Sequence, residues 1–196
     1  MSSAHTFQRI SAYVIDVLII TIISMLLTSW IPKSEEYKSA IEKENNLISD
    51  INKENLNQSD FIDELYETRY TIEKENITES LIIIVINLGY FVGFAYYNKG
   101  QSVGKKIMHI RVASNNGKDA SYLQLFGRTL IIHGCFTSLL SIILLLFIKS
   151  NQYIYTIGLI GLIQSLVTII TIIMVIVRKD KKGLHDLICK TKVIEV

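Results

Sequence analysis

Asp16 is the only charge in the 22-residue run Ile10–Ile31. An ionisable side chain inside an apolar run of membrane length is costly to bury and marks a functional position by default. Three roles are open to it. It pairs with an arginine as a structural ion pair, it binds a cation or carries a proton, or it reaches the inner interface as an anchor. Arg9 precedes it by seven residues, nearly two helical turns, so the two share a face directed into a bundle. Asn87, His133 and Gln164 are single polar residues in other apolar runs, and interhelical hydrogen bonding is the expectation for each. His133 would titrate near neutral pH if it met water. Gly100-Gln101-Ser102-Val103-Gly104-Lys105-Lys106 has the outline of a phosphate loop. Three residues separate its glycines where four are required, and Lys106 stands where Ser or Thr should follow the lysine. Nucleotide binding is rejected. Ser102, Gly104, Lys105 and Lys106 instead read as a basic turn against anionic headgroups. The sequence holds no Ser/His/Asp set, metal-ligand cluster or dinucleotide fingerprint. An enzyme, a metal and a cofactor are not expected.

These residues sit among four runs almost free of charge: Ile10–Ile31, Ser80–Tyr97, Thr129–Ile148 and Tyr153–Val177. About 20 helical residues cross a hydrocarbon core. The chain of 196 residues therefore reads as an all-α integral membrane protein with four transmembrane helices. Its only proline, Pro32, lies outside the runs, so no helix is kinked by proline. Cys135 and Cys189 are not expected to form a disulfide. A cleaved signal peptide is unlike the first run, which is too long, lacks a small-x-small site and carries Asp16. A net charge of +2 is too weak to suggest nucleic acid.

Charge sets the topology. Residues 33–79 hold 13 of the 18 acids, whereas residues 98–128 and the tail after Val177 each hold six Lys/Arg. Lys/Arg-rich short loops stay in the cytoplasm. Residues 98–128 and 178–196 are therefore cytoplasmic, with the N terminus, and 33–79 is an extracytoplasmic insertion in the cell membrane. Trp30, Tyr153 and Tyr155 fall at the outer interface, and Tyr13, Tyr96 and Tyr97 near the inner one, where amphipathic rings are favoured.

The insertion reads as helical. Ser34 caps a helix whose first turn holds Glu35 and Glu36, which suits the positive end of the dipole. Tyr37, Ile41, Ile48 and Ile51 form one apolar stripe. Asn57–Asp60 marks a turn and a new cap, and Phe61, Leu65 and Ile72 form a second stripe. The segment docks an extracytoplasmic protein, or it packs its stripes on itself. Asn57-Gln58-Ser59 and Asn76-Ile77-Thr78 match the glycosylation pattern, with nothing else pointing to a glycosylating host. On the inner side, Ile107–Ala113 reads as a short strand and Asn115-Asn116-Gly117 as a turn. Ser121 with Gln124 is a capping box that starts a helix running through Arg128 into the third run. Thr191–Val196 is a second extended segment able to pair with the first at the cytoplasmic face. Gly89–Gly93 and Gly158–Gly161 are small-residue spacings that let helix backbones approach closely.

Three separated pieces then stand in order: Arg9-Ile-Ser-Ala12-Tyr-Val-Ile-Asp16; Gly100-Gln-Ser102-Val-Gly104-Lys105 with Ile110-Arg111-Val112 and later Arg128; and Gly183-Leu184-His185-Asp186 with Thr191-Lys192-Val193. Together they resemble the RDD family of multispanning membrane proteins, named for an arginine and two aspartates that match Arg9, Asp16 and Asp186. The resemblance covers most of the chain except residues 33–79. Cys189-Lys190 stand where family tails usually have a small residue and glycine, and members are often described with fewer crossings than four. The resemblance implies that Arg9, Asp16 and Asp186 form one unit near the cytoplasmic face, beside His185. It also implies a transport role, with cation/proton exchange suggested for some members. Two acids on one arginine leave a surplus negative charge, as a site for Na⁺, K⁺, Li⁺ or a proton requires, unless Arg128 cancels it. Two functions follow: proton-coupled transport of a small cation centred on Asp16, or a non-catalytic accessory or immunity-type protein that binds a partner through its acidic insertion. No broken helix or internal repeat of the transporter kind is evident, and a four-helix bundle is thin enough that transport would call for a homo-oligomer.

Overall fold

A computed structural model describes residues 2–50 and 58–196. Ile51 and Asn57, and with Asn57 the first sequon and the start of the expected turn, lie outside the described residues. The first long helix, α1 (Thr6–Thr28), carries Asp16. Next come α2 (Glu35–Asp50) and α3 (Gln58–Glu75) of the insertion. Asn76 separates α3 from α4 (Ile77–Leu88), which continues through a π-helical stretch, Gly89–Phe94, into α5 (Ala95–Tyr97). A short α6 (Val103–Ile107) precedes β1 (Ile110–Ser114). Then follow α7 (Tyr122–Ile132), α8 (Cys135–Phe147), α9 (Ser150–Val177), the short α10 (Leu184–Ile188) and β2 (Thr191–Glu195).

Among the described residues, three helical stretches are long and apolar enough to cross a membrane: Thr6–Thr28, Ile77–Tyr97 and Ser150–Val177. The third expected crossing is not one helix. It is the pair α7 and α8, bent by 69°. Gly134, at φ +65°, makes the break, a conformation that glycine adopts without Cβ strain. The expectation of unbroken helices is therefore corrected. The pair still joins the two ends of the bundle. At its start, Gln124 donates to the carbonyls of Cys189 and Lys190 beside the sheet. Near its finish, the Leu145 carbonyl accepts from Tyr70 of the insertion. Taken as one span, the pair is a fourth crossing.

Local chemistry explains the element starts. The Ser34 hydroxyl accepts from the Tyr37 amide, and Ser121 and Gln124 form the reciprocal capping box. The strands pair antiparallel with Val112 opposite Val193. The first strand begins at Ile110, three residues later than expected, because Ile107 closes α6 and His109 takes φ +54°. The sheet packs on Ala12 of α1, Val92 and Ala95 of the second crossing and Leu125 of α7. That cluster is the buried core at the end of the bundle where both termini lie.

Several packing expectations change. A Cβ at Gly89, Gly93, Gly158 or Gly161 would meet nothing within 4 Å, so none of the four marks a close helix approach. Tyr153 is buried, bonded to Ser141 and edge-on to Tyr70, and so is no interface tyrosine. In α2 the buried residues are Ala40, Glu44 and Leu47, while Ile48 of the expected stripe is half exposed. The two insertion helices pack on each other, and α3 lies on α8 and α9, where Tyr66 meets Tyr155 and Asn151 donates to Asp63. Much of the apolar surface of α1 and α9 is left uncovered by protein, as a hydrocarbon solvent permits.

Candidate functional site

Two buried carboxylates at the termini end organise the site. Asp16 is fully buried. Its Oδ1 accepts from the Tyr90 hydroxyl at 2.7 Å and the Gly104 amide at 2.8 Å. Its Oδ2 accepts from the Ser102 hydroxyl and faces Lys105 Nζ at 3.5 Å. Lys105 also donates to Ser102 Oγ at 2.9 Å. The loop that resembles a phosphate cradle thus closes on the chain's own carboxylate. Of the basic turn, Ser102, Gly104 and Lys105 face Asp16. Lys106 turns away, to Asn98, and Gln101 donates to the Ile110 carbonyl. The approach is close: a Cβ on Gly104 would stand 2.2 Å from the Ala12 carbonyl oxygen and 2.9 Å from Asp16 Oδ1. Burial pulls the Lys105 ammonium below the ordinary lysine range, against the opposing attraction of Asp16.

Asp186 is the second centre, also fully buried. Arg9 Nη2 donates to Oδ2 at 2.7 Å. The Gly183 amide donates to the same oxygen at 3.2 Å, and His185 Nε2 lies 3.3 Å from it. Arg128 Nη1 donates to Oδ1 and to Thr191 Oγ1, and Thr191 in turn donates to Oδ1 at 3.0 Å. Arg9 also reaches the Lys181 carbonyl. Burial alone would raise the Asp186 pKa, but Arg128, His185 and Arg9 outweigh it and hold the carboxyl well below the usual range. Burial and the neighbouring Arg128 push His185 down to about 4, so its ring is neutral at physiological pH.

The expected single unit of Arg9, Asp16 and Asp186 is therefore two neighbouring clusters. Asp16 has Lys105, not an arginine, as its partner. Arg9 and Arg128 share Asp186. The expected surplus of negative charge is reversed, since Arg9, Lys105 and Arg128 against Asp16 and Asp186 leave a formal charge of +1. Tyr90 and Thr191 complete the two carboxylate shells. Thr191 stood in the sequence only as part of a motif, and Tyr90 only as filler between two glycines.

A cavity of about 320 Å³ lies against these clusters. One wall is the first turns of α1, from Thr6 to Tyr13, and another is α9 from Val167 to Ile176. His133, at the bend of the third crossing, closes a third side. It stacks on Phe91 at 3.6 Å between ring centroids and on Tyr13 at 5.9 Å. Stacking, and no side-chain hydrogen bond among the described residues, holds His133, contrary to expectation. Gln164 does bond between helices, to the Ile131 carbonyl at 3.0 Å. Asn87 returns to its own helix at Ile83, so it is not an interhelical link.

The fold and the buried charges define a multispanning membrane protein with an ion network at one end of its bundle. The model of the RDD family matches residues 3–190, and the chain belongs to that family. No curated protein and no solved structure matches it.

Proposed function

We propose that this protein is a proton-coupled transporter of the cell membrane, with both termini in the cytoplasm. The observation that carries the reading is the cavity itself, walled by the broken third crossing and floored by the two carboxylate clusters. Interrupted helices at membrane depth are tolerated where they line a cavity. The Lys/Arg-rich segments 98–128 and 178–196 support the orientation.

The proton site is the Asp16–Lys105 pair. Lys105 Nζ releases one proton, passing from ammonium to amine, while Asp16 keeps Tyr90, Ser102 and the Gly104 amide as donors. Burial makes that loss easier than for a lysine in water. Exchange of Na⁺, K⁺ or Li⁺ directly on Asp16 is less favoured by the geometry, because both carboxylate oxygens are already occupied and three cationic side chains line the approach. Docking of a partner by the acidic insertion is also less favoured, because α3 is spent on α8 and α9.

The test is pH-dye fluorescence in proteoliposomes under an imposed proton gradient, with pulses of Na⁺, K⁺, Li⁺ and organic anions. Wild type should dissipate the gradient on at least one pulse. Asp16→Asn, inserted to the same level, should not, since an unpaired Lys105 stays an amine. Equal flux in the variant, or no solute-dependent flux in the wild type, refutes the proposal.

A further inference from the structure

The cavity is lined unevenly. Its polar floor includes Arg9, Lys105 and Arg128 and, among the described residues, no carboxylate, because Asp16 and Asp186 lie behind the cations that they bind. Its walls are mostly aliphatic, with Ile10 of α1 and Val167, Ile172 and Val175 of α9 among them. Ile10 and Ile172 are also half exposed on the outside of the bundle, so the cavity borders the surface that faces hydrocarbon. His185 lies at the edge of this floor. It is 5% exposed, it lines the cavity, and its Nδ1 finds no hydrogen-bond partner among the described residues. With Nε2 turned to Asp186, Nδ1 is an unmet acceptor, a costly condition for a buried polar atom.

We infer that the cavity binds an anionic lipid, one with a phosphate headgroup on the Arg9, Lys105 and Arg128 floor and an acyl chain between α1 and α9. The inference deepens the transport reading by naming the class of solute and rests on it for its functional meaning. Arginine recognises phosphate through charge-assisted, often bidentate, bonds. Arg9 and Arg128 each direct Nη atoms at Asp186, and a guanidinium has five donors, so capacity remains for a second anion. Lys105 uses two of three donors, on Asp16 and Ser102. The formal surplus of +1 is what a single phosphodiester would neutralise. A bare inorganic anion would leave the aliphatic walls empty, and a neutral lipid would leave the surplus charge unanswered.

The test is the thermal midpoint of the full-length protein in a non-ionic detergent, titrated with dodecyl phosphate, dodecylphosphocholine and inorganic phosphate. Dodecyl phosphate should raise the midpoint saturably. Dodecylphosphocholine should do so only at about tenfold higher concentration, because its choline meets three cations. Inorganic phosphate should have no effect. Arg128→Gln should abolish the shift, but it strips Asp186 of a partner and risks misfolding. Val167→Trp keeps every charge, fills the tail region and should weaken the dodecyl phosphate response at least about tenfold. A shift from inorganic phosphate equal to that from dodecyl phosphate assigns the site to a soluble anion and overturns the inference. Equal responses to the two amphiphiles, or a response untouched by Val167→Trp, overturn it as well. Binding without proton flux in proteoliposomes would uphold the lipid site while removing the transport reading; flux without binding would do the reverse.

Discussion

Replacing Asp186 by asparagine tests the ion network most directly, because the two side chains have the same shape. Five donors converge on the Asp186 carboxylate: Arg9, His185 and the Gly183 amide on one oxygen, and Arg128 and Thr191 on the other. An asparagine offers one acceptor oxygen and an NH₂ that donates. Whichever way the amide turns, an arginine faces an N–H. Two guanidinium groups, with side chains only 9% and 8% exposed, also lose their shared counterion. Removing one partner of a buried ion pair costs about 3–5 kcal/mol, and serving two cations puts Asp186 at the upper end. At roughly 2–4 °C per kcal/mol for a chain of this size, the melting midpoint should fall by about 10 °C or more. The assay is thermal unfolding in detergent, followed by near-ultraviolet circular dichroism. Adding Arg9→Gln should then recover about 1–2 kcal/mol, since one of the stranded charges is gone. A loss below about 1 kcal/mol in the single variant, or no recovery in the double, would refute the claim that Asp186 holds both arginines.

Other perturbations probe the remaining contacts. Gly104→Ala should destabilise by about 1–3 kcal/mol, because its Cβ would collide with the Ala12 carbonyl, whereas Gly89→Ala should be near neutral; chemical denaturation of the two side by side decides it. Tyr90→Phe removes a hydroxyl bonded to the Asp16 carboxylate and should cost about 1.5–3 kcal/mol in the same assay. Gly134→Ala forces an alanine to φ +65° and should cost about 1–2 kcal/mol, with the bend altered in distances measured by spin labels on α7 and α8. His185 binds a proton less readily folded, at about 4, than unfolded, at 6.5. Its contribution is therefore complete above pH 6.5 and lost as pH falls towards 4, a ceiling of about 3 kcal/mol. His185→Asn should flatten the fall in stability across that window, and unchanged steepness would exclude His185 as its source.

The amino-acid sequence by itself determined the membrane class, because apolar runs of about 20 residues report their solvent without reference to other contacts. It also determined features whose causes lie within a few residues: the Ser34 and Ser121 caps, the π-interrupted second crossing as one apolar run, and the extended tail that becomes β2. Asp16 stood out, with Arg9 on its face, because a charge within such a run needs a partner, whereas Asp186 stood out only through the family resemblance. Which partner was a tertiary matter. Asp16 and Lys105 are 89 residues apart, and Arg9 and Asp186 are 177 apart. Seven-residue spacing placed Arg9 and Asp16 on one helical face, yet nearly two turns separate them along the axis, and each found a different neighbour. The close approach fell at Gly104, in a loop, and not at the spaced glycines of the long helices, because glycine spacing describes only one of the two surfaces that must meet. The break at His133–Gly134 was hidden in an apolar run, since a single glycine is compatible with a straight helix until packing demands the left-handed turn. The sign of the charge left facing the cavity was decided last. It depends on which cations stand in front of which carboxylates, and that ordering exists only in three dimensions.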